Sequence, residues 1–182
     1  MIHSIGIIET SSIAKGFEAA DSMVKTANVD LVEACAICPG KFLVVVVGGV
    51  ADVKAAMAAG AATAGETLVD RMELANVDSA VPEALRGVCA ATDIDALGIL
   101  ETFTAASGVL AADAAVKAAS VTIIELRLAR GMAGKSFFTI TGSVGAVKAA
   151  MDAAKVAAAE AGLLVQAVVI PSPHEALKRL SL

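Results

Sequence analysis

The sequence predicts an α/β fold, more strictly α+β, built from two tandem copies of one small unit. The segment Ser4–Thr10 returns as Ala96–Thr102, and Val53–Met57 returns as Val147–Met151. Similarity at so long a period indicates a duplicated structural unit. Each copy also alternates short apolar strands with alanine-rich helices in the order β-α-β-β-α-β, which is the ferredoxin-like, or split βαβ, arrangement.

Hydrophobic periodicity and turn residues locate the elements of the first unit. Ser12 is predicted to cap the first helix, whose apolar residues at helical spacing share one face: Ile13, Phe17, Ala20, Val24 and Ala27. The other predicted elements follow in chain order: strands over Ile5–Thr10 and Val29–Ile37, a turn at Pro39–Gly40, a buried strand over Phe42–Val47, a helix over Asp52–Ala64 and a strand over Leu68–Ala75.

The second unit repeats this order from Ala96 to Ile170. We therefore divide the chain into a first domain over residues 1–77, a linker over 78–95 and a second domain over 96–182 that includes a C-terminal tail. In the linker, Ser79 is placed to cap a short helical turn at Pro82–Leu85. The tail leaves the last strand through Pro171–Pro173 and is expected to turn into a helix.

Composition excludes several classes of protein. The chain is 57% hydrophobic with a mean hydropathy of +0.77, but its longest apolar run, Phe42–Ala51, ends at Asp52. A membrane-spanning helix needs roughly 20 apolar residues, so no membrane segment is expected. Only 3% of the residues are aromatic. A core with so few aromatic side chains fills little volume, and small domains bury little surface on their own. We therefore expect contacts between subunits to supply part of the stability.

The charge balance argues against a nucleic-acid partner. The net charge is −5, and no basic cluster or stacking aromatic pattern appears. The N-terminal residues lack the pattern of a secretory signal peptide. The three cysteines, Cys35, Cys38 and Cys89, are therefore expected to be thiols in the reducing cytoplasm.

Cys38 is the candidate metal ligand, because it lies in a turn where a side chain faces outward. By residue type alone it is more simply a small hydrophobic residue at a strand end, as free cysteines usually are. With Cys35 it spells Cys-x-x-Cys, which is typical of a redox pair or of half a zinc site. Residues three apart on a strand point to opposite faces, and no second such pair completes a zinc site. Cys35 and Cys89 are most simply structural thiols.

Several motifs occur in both halves and in the same order. They include the opening Gly6–Thr10 and the helix segment Ala19–Lys25; the second copy also ends in Pro171–His174, where the first copy has Asn76–Asp78. With these motifs the chain resembles the shell domain of bacterial microcompartments. Within that family it is most similar to tandem-domain trimers of the propanediol-utilisation type, through four further segments: Ser12–Gly16, Ala27–Leu31, Ile37–Phe42 and Gly65–Asp70.

The resemblance implies a homotrimer that mimics a six-domain hexagonal tile. It also implies that the three Cys38 thiolates hold one iron–sulfur cluster at the threefold axis, of the 4Fe–4S type, with the fourth position left to another ligand. The second copy has Arg130–Lys135 in place of Cys38–Lys41 and lacks the cysteine. In relatives these turns line a pore, which implies the following lining residues: Pro39, Gly40, Lys41, Gly131, Met132, Ala133 and Gly134.

Residues at the tile edge are implied in the same way. Lys25 and Lys117 occupy matching helix positions and would meet their counterparts in neighbouring tiles, with Asn28 and His174 beside them. Ser120 departs from the asparagine expected in the second copy. Ser172 stands between the closing prolines, where the family usually has arginine. Expected partners are other copies of this chain, other microcompartment shell proteins and an encapsulated redox enzyme.

Four functional interpretations follow. The first is a structural tile of a microcompartment shell, located in the cytoplasm. The alternatives are an electron-transfer protein whose cluster passes electrons across the shell, and a metabolite pore without a cluster. A ligand-binding module outside any shell would be a monomer or dimer. We expect no enzymatic activity, because the sequence has no nucleophile–base pair and no phosphate-cradling glycine loop.

Overall fold

The computed structural model describes residues 4–89, 91, 93–160 and 163–181. It divides into two compact units, Met1–Pro82 and Glu83–Leu182. A short helix, α3 (Ala80–Leu85), lies at the boundary, where the sequence predicts a helical turn.

The first unit contains a four-stranded antiparallel sheet and two helices. Its elements are β1 (Ser4–Thr10), α1 (Ile13–Thr26), β2 (Val29–Ile37), β3 (Lys41–Gly48), α2 (Val50–Ala64), a 3-10 turn (Gly65–Thr67) and β4 (Leu68–Ala75). The strand order is β2-β3-β1-β4. The predicted ferredoxin-like arrangement is thereby confirmed for this unit.

The second unit repeats the topology with strand order β6-β7-β5-β8. Its elements are β5 (Ala96–Thr102), α4 (Ala105–Ala118), β6 (Thr122–Leu128), β7 (Ser136–Gly142), α5 (Val144–Glu160), β8 (Leu164–Ile170) and α6 (Glu175–Ser181). The predicted C-terminal helix is α6. In both units the β-α-β-β-α-β order places the turn between the second and third strands at the same end of the sheet.

The apolar face predicted for α1 is wrong. The helix begins as expected, since the Ser12 hydroxyl accepts a hydrogen bond from the Lys15 amide at 3.3 Å. Its buried residues, however, are Gly16, Ala19, Ala20 and Met23, and Phe17 is 60% exposed.

The cause is the close approach of α1 to β3. A Cβ atom on Gly16 would clash with the ring of Phe42, so no side chain fits at this position of the helix. The ring of Phe17 instead lies across that of Phe42, with centroids 4.5 Å apart. In the second unit Gly108 approaches Ser136 in the same way.

Candidate functional site

The Cys38 turn joins β2 to β3 in three residues. Ile37 and Lys41 are partners in the strand register and close the turn. Cys38 is half-buried, whereas Pro39 and Gly40 are exposed. Gly40 has a φ of +73°, a conformation that favours glycine. The turn therefore holds one partly accessible thiol at the end of a rigid hairpin.

Lys41 is tied to the neighbouring strand β1 by an ion pair. Its ammonium lies 3.2 Å from the Glu9 carboxylate, whose side chain is only 5% exposed. A carboxylate so deeply buried requires a compensating charge. Sequence reasoning placed Lys41 at the pore and Glu9 at a strand end, but it missed their contact.

The corresponding turn of the second unit is longer, with seven residues between the register partners Leu128 and Ser136. The Ala129 amide donates to the Lys135 carbonyl at 2.9 Å, and the Lys135 amide donates to the Met132 carbonyl at 3.0 Å. Positive φ values occur at Gly131, Ala133 and Gly134. The turn is therefore closed by its own backbone hydrogen bonds.

The second unit repeats the ion pair in a more open setting. The Lys135 ammonium lies 3.3 Å from the carboxylate of Glu101, whose side chain is 41% exposed. An open cavity of about 440 Å³ borders this pair, lined by Ile99, Glu101, Met132, Lys135, Ser136 and Phe137. The presence of both partners in both repeats is the sequence signal that would have predicted the two ion pairs.

No single chain offers a complete metal site among the described residues: no group of three or more His, Cys, Asp or Glu side chains is arranged to hold an ion. None of the three cysteines forms a disulfide. Cys35 lies within β2 opposite Leu43, whereas Cys38 lies in the turn beyond the strand. One chain therefore places one thiol, that of Cys38, in this turn.

The predicted tile-edge lysines both pair within their own helices. The Lys25 ammonium lies 2.6 Å from Asp21, and Lys117 lies 2.6 Å from Asp113. Asp21 is exposed, whereas the Asp113 side chain is 6% exposed. The lysine of the second unit is thus held beside a buried carboxylate.

The other two predicted edge residues lie at helix and strand boundaries. Asn28 is exposed between α1 and β2. His174 is exposed and caps α6, because its Nδ1 accepts from the Ala176 amide at 3.2 Å. On this helix the pKa of Lys178 is raised, first by its hydrogen bond to Glu175 and also by the Asp93 and Asp95 carboxylates.

Within the described residues, the structure contains no helix that is long and apolar enough to cross a membrane.

The profile of the BMC domain family matches residues 4–77 and 96–173. Together with the two ferredoxin-like units, this match shows that the chain belongs to the BMC-domain family of bacterial microcompartment shell proteins.

The more particular resemblance is confirmed by relatives of similar length. The chain is 44% identical to the bacterial microcompartment shell protein PduT of Citrobacter freundii, over 98% of this chain and 97% of that protein. A microcompartment protein from Desulfitobacterium hafniense is 46% identical and superposes with a TM-score of 0.96, covering 98% and 99% of the two chains. A fused permuted hexameric shell protein, MSM0275, shares the fold at a TM-score of 0.62 and 23% identity, covering 86% and 83%.

This chain is therefore a structural shell protein of a bacterial microcompartment and not an enzyme. The tandem organisation and the similarity to PduT were both predicted from the sequence motifs.

Proposed function

We propose that the chain forms a homotrimeric tile in which three Cys38 thiolates hold one 4Fe–4S cluster on the threefold axis. The observation that carries the proposal is that two domains of the same topology differ in one turn. The turn of the first domain contains a thiol, that of Cys38, and the turn of the second domain contains none. Three copies bring together three Cys38 turns, alternating with three glycine-rich turns. The cluster supplies one-electron transfer at the centre of the tile.

The outer face of α1 supports an assembly of several copies. Phe17 is 60% exposed and Ile13 is 42% exposed. The equivalent residues of the second unit, Val109 and Ala105, are fully buried within the single chain. The same face of the repeat is filled in one unit and open in the other. Exposed apolar surface of this kind marks an interaction site, and a second copy of the chain is its natural occupant.

The thiol fits the proposed cluster in its chemistry. Iron–sulfur clusters select cysteine thiolates, and a 4Fe–4S cluster takes four ligands. Three chains supply three thiolates, so one iron is left for a non-cysteine ligand. A cysteine in both turns would have supplied six. Because residues 130–134 contain no cysteine, the trimer offers three thiolates, which is within the four ligands that one cluster takes.

The tile is expected to join other microcompartment shell proteins along its edges. Lys25, Asn28, Lys117 and His174 are exposed or partly exposed on the two units and are available for such contacts. An encapsulated redox enzyme is the expected electron partner. This arrangement would let the tile carry electrons through the shell without opening a hole in it.

A pore for small metabolites, without a cluster, is the second candidate function. The glycine-rich turn of the second unit and the cavity of about 440 Å³ beside it favour this alternative. A pore requires open space at the tile centre, whereas a cluster on the axis would block it. Iron content therefore separates the two candidates.

The test is iron binding by three matched serine variants prepared without oxygen. Cys38→Ser should lose the iron and the brown colour while keeping the trimer mass. Cys35→Ser and Cys89→Ser should keep both iron and trimer. Wild-type protein that takes up no iron on anaerobic reconstitution, or Cys38→Ser protein that retains it, would favour the pore.

A further inference from the structure

The ion pair between Glu9 and Lys41 stands directly behind the Cys38 turn. We propose that Glu9 is a positioning residue for the cluster site: its carboxylate fixes the Lys41 end of the turn and cancels the lysine charge beside the cluster. This inference rests on the cluster proposed above. Neither residue is a cluster ligand.

The geometry makes Glu9 an anchor for the turn. Lys41 is the first residue of β3, and its register partner Ile37 is the last of β2, so these two residues set the span of Cys38–Gly40. The Lys41 side chain reaches across to Glu9 on β1, which is adjacent to β3 in the sheet. Because the carboxylate is almost fully buried, its position is fixed by the sheet itself.

The second unit shows what the pair does when no cluster ligand is present. Glu101 and Lys135 keep the contact, but both side chains are more than two-fifths exposed. The longer turn beside them is closed by backbone hydrogen bonds from Ala129 and Lys135. The carboxylate of the pair is buried only in the unit whose short turn presents a thiol.

Burial also decides the electrostatic effect. Interactions between charges are much stronger in a buried site than in water. In a trimer, three Lys41 ammonium groups would surround the axis, each neutralised by its own Glu9. Removing the carboxylate leaves three positive charges there, which favours the reduced and more negative state of the cluster. Removing the ammonium has the opposite effect.

The test is a charge cycle on the trimer: Glu9→Gln, Lys41→Gln and the double variant, with Glu101→Gln as the matched control. The midpoint potential of the reconstituted cluster should rise in Glu9→Gln, fall in Lys41→Gln and return towards the wild-type value in the double variant. Glu101→Gln should leave it nearly unchanged. A loosened turn would not give opposite signs for the two single variants.

Hydrogen exchange of the iron-free trimer provides a second measurement. Amides in peptides that span Cys38–Lys41 should exchange faster in Glu9→Gln than in Glu101→Gln. Glu9→Gln protein with unchanged exchange and unchanged potential would overturn the role of Glu9 while leaving the cluster in place. Wild-type protein without iron would overturn the cluster itself, whatever the exchange rates show. If Lys41→Gln does not fold, the double variant is still available, because it buries no uncompensated charge. Its midpoint potential, compared with that of Glu9→Gln, still tests the sign of the charge effect.

Discussion

The two units of this chain have the same topology but differ in one turn, in the ion pair beside it and in the outer face of the first helix. The first has a short turn with a thiol, an ion pair between Lys41 and the buried Glu9, and an open α1 face. The second has a longer glycine-rich turn, an exposed Glu101–Lys135 pair and a filled α4 face. Duplication thus lets the two copies of the domain carry different turns at the same place in the fold. A ring of identical domains has no means of making this division.

Substitutions on the outer helix faces should show the largest difference between the two units. Val109→Asp would place a carboxylate at a fully buried site and should destabilise the second unit by several kcal/mol, enough to unfold it. Phe17→Asp should change the stability of the isolated unit far less, because that side chain is mostly exposed, yet it should dissociate the trimer. Thermal unfolding and native mass measurement separate the two outcomes. A Phe17→Asp protein that remains trimeric would show that α1 faces solvent.

Glycine-to-alanine changes at the close helix–sheet contacts should show the second-largest difference between the units. Gly16→Ala would drive a methyl group into the buried Phe42 ring, and overpacking of this kind costs about 1–3 kcal/mol. Gly108→Ala meets the single Ser136 hydroxyl instead of a ring, and that hydroxyl can move aside by giving up its hydrogen bonds to the Thr102 hydroxyl and the Thr104 carbonyl. Chemical denaturation should therefore find Gly16→Ala the less stable variant. Equal losses would mean that the two contacts are equally rigid.

Charge reversal at the helix lysines should distinguish the units more weakly. Lys117→Asp places a second carboxylate beside the buried Asp113, whereas Lys25→Asp repels an exposed Asp21. Exposed helix pairs contribute only about 0.3–0.5 kcal/mol, so Lys25→Asp should leave unfolding almost unchanged. The double variant should keep the trimer but lose sheet assembly under the electron microscope. Sheets of normal extent would show that the lysines are simply solvated.

Much of the fold could be predicted from the sequence, but less of the site. The strands Val29–Ile37 and Leu68–Ala75 match their predicted bounds, because turn residues end each apolar run. The face of α1 could not be predicted from periodicity, since the decisive fact is the approach of Gly16 to Phe42 on another strand. The Glu9–Lys41 contact likewise depends on the register between β1 and β3, residues 32 apart in sequence. Local patterns set the elements, and long-range register sets the site.

The most direct test of the account is the native mass of the protein after anaerobic reconstitution. The chain has a mass of 18.1 kDa, and the account predicts one species containing three chains and a single 4Fe–4S cluster. Cys38→Ser should give the same trimer without the added iron and sulfide. A monomer or dimer, or one cluster for every chain, would contradict the claim that three copies of one turn build the site together.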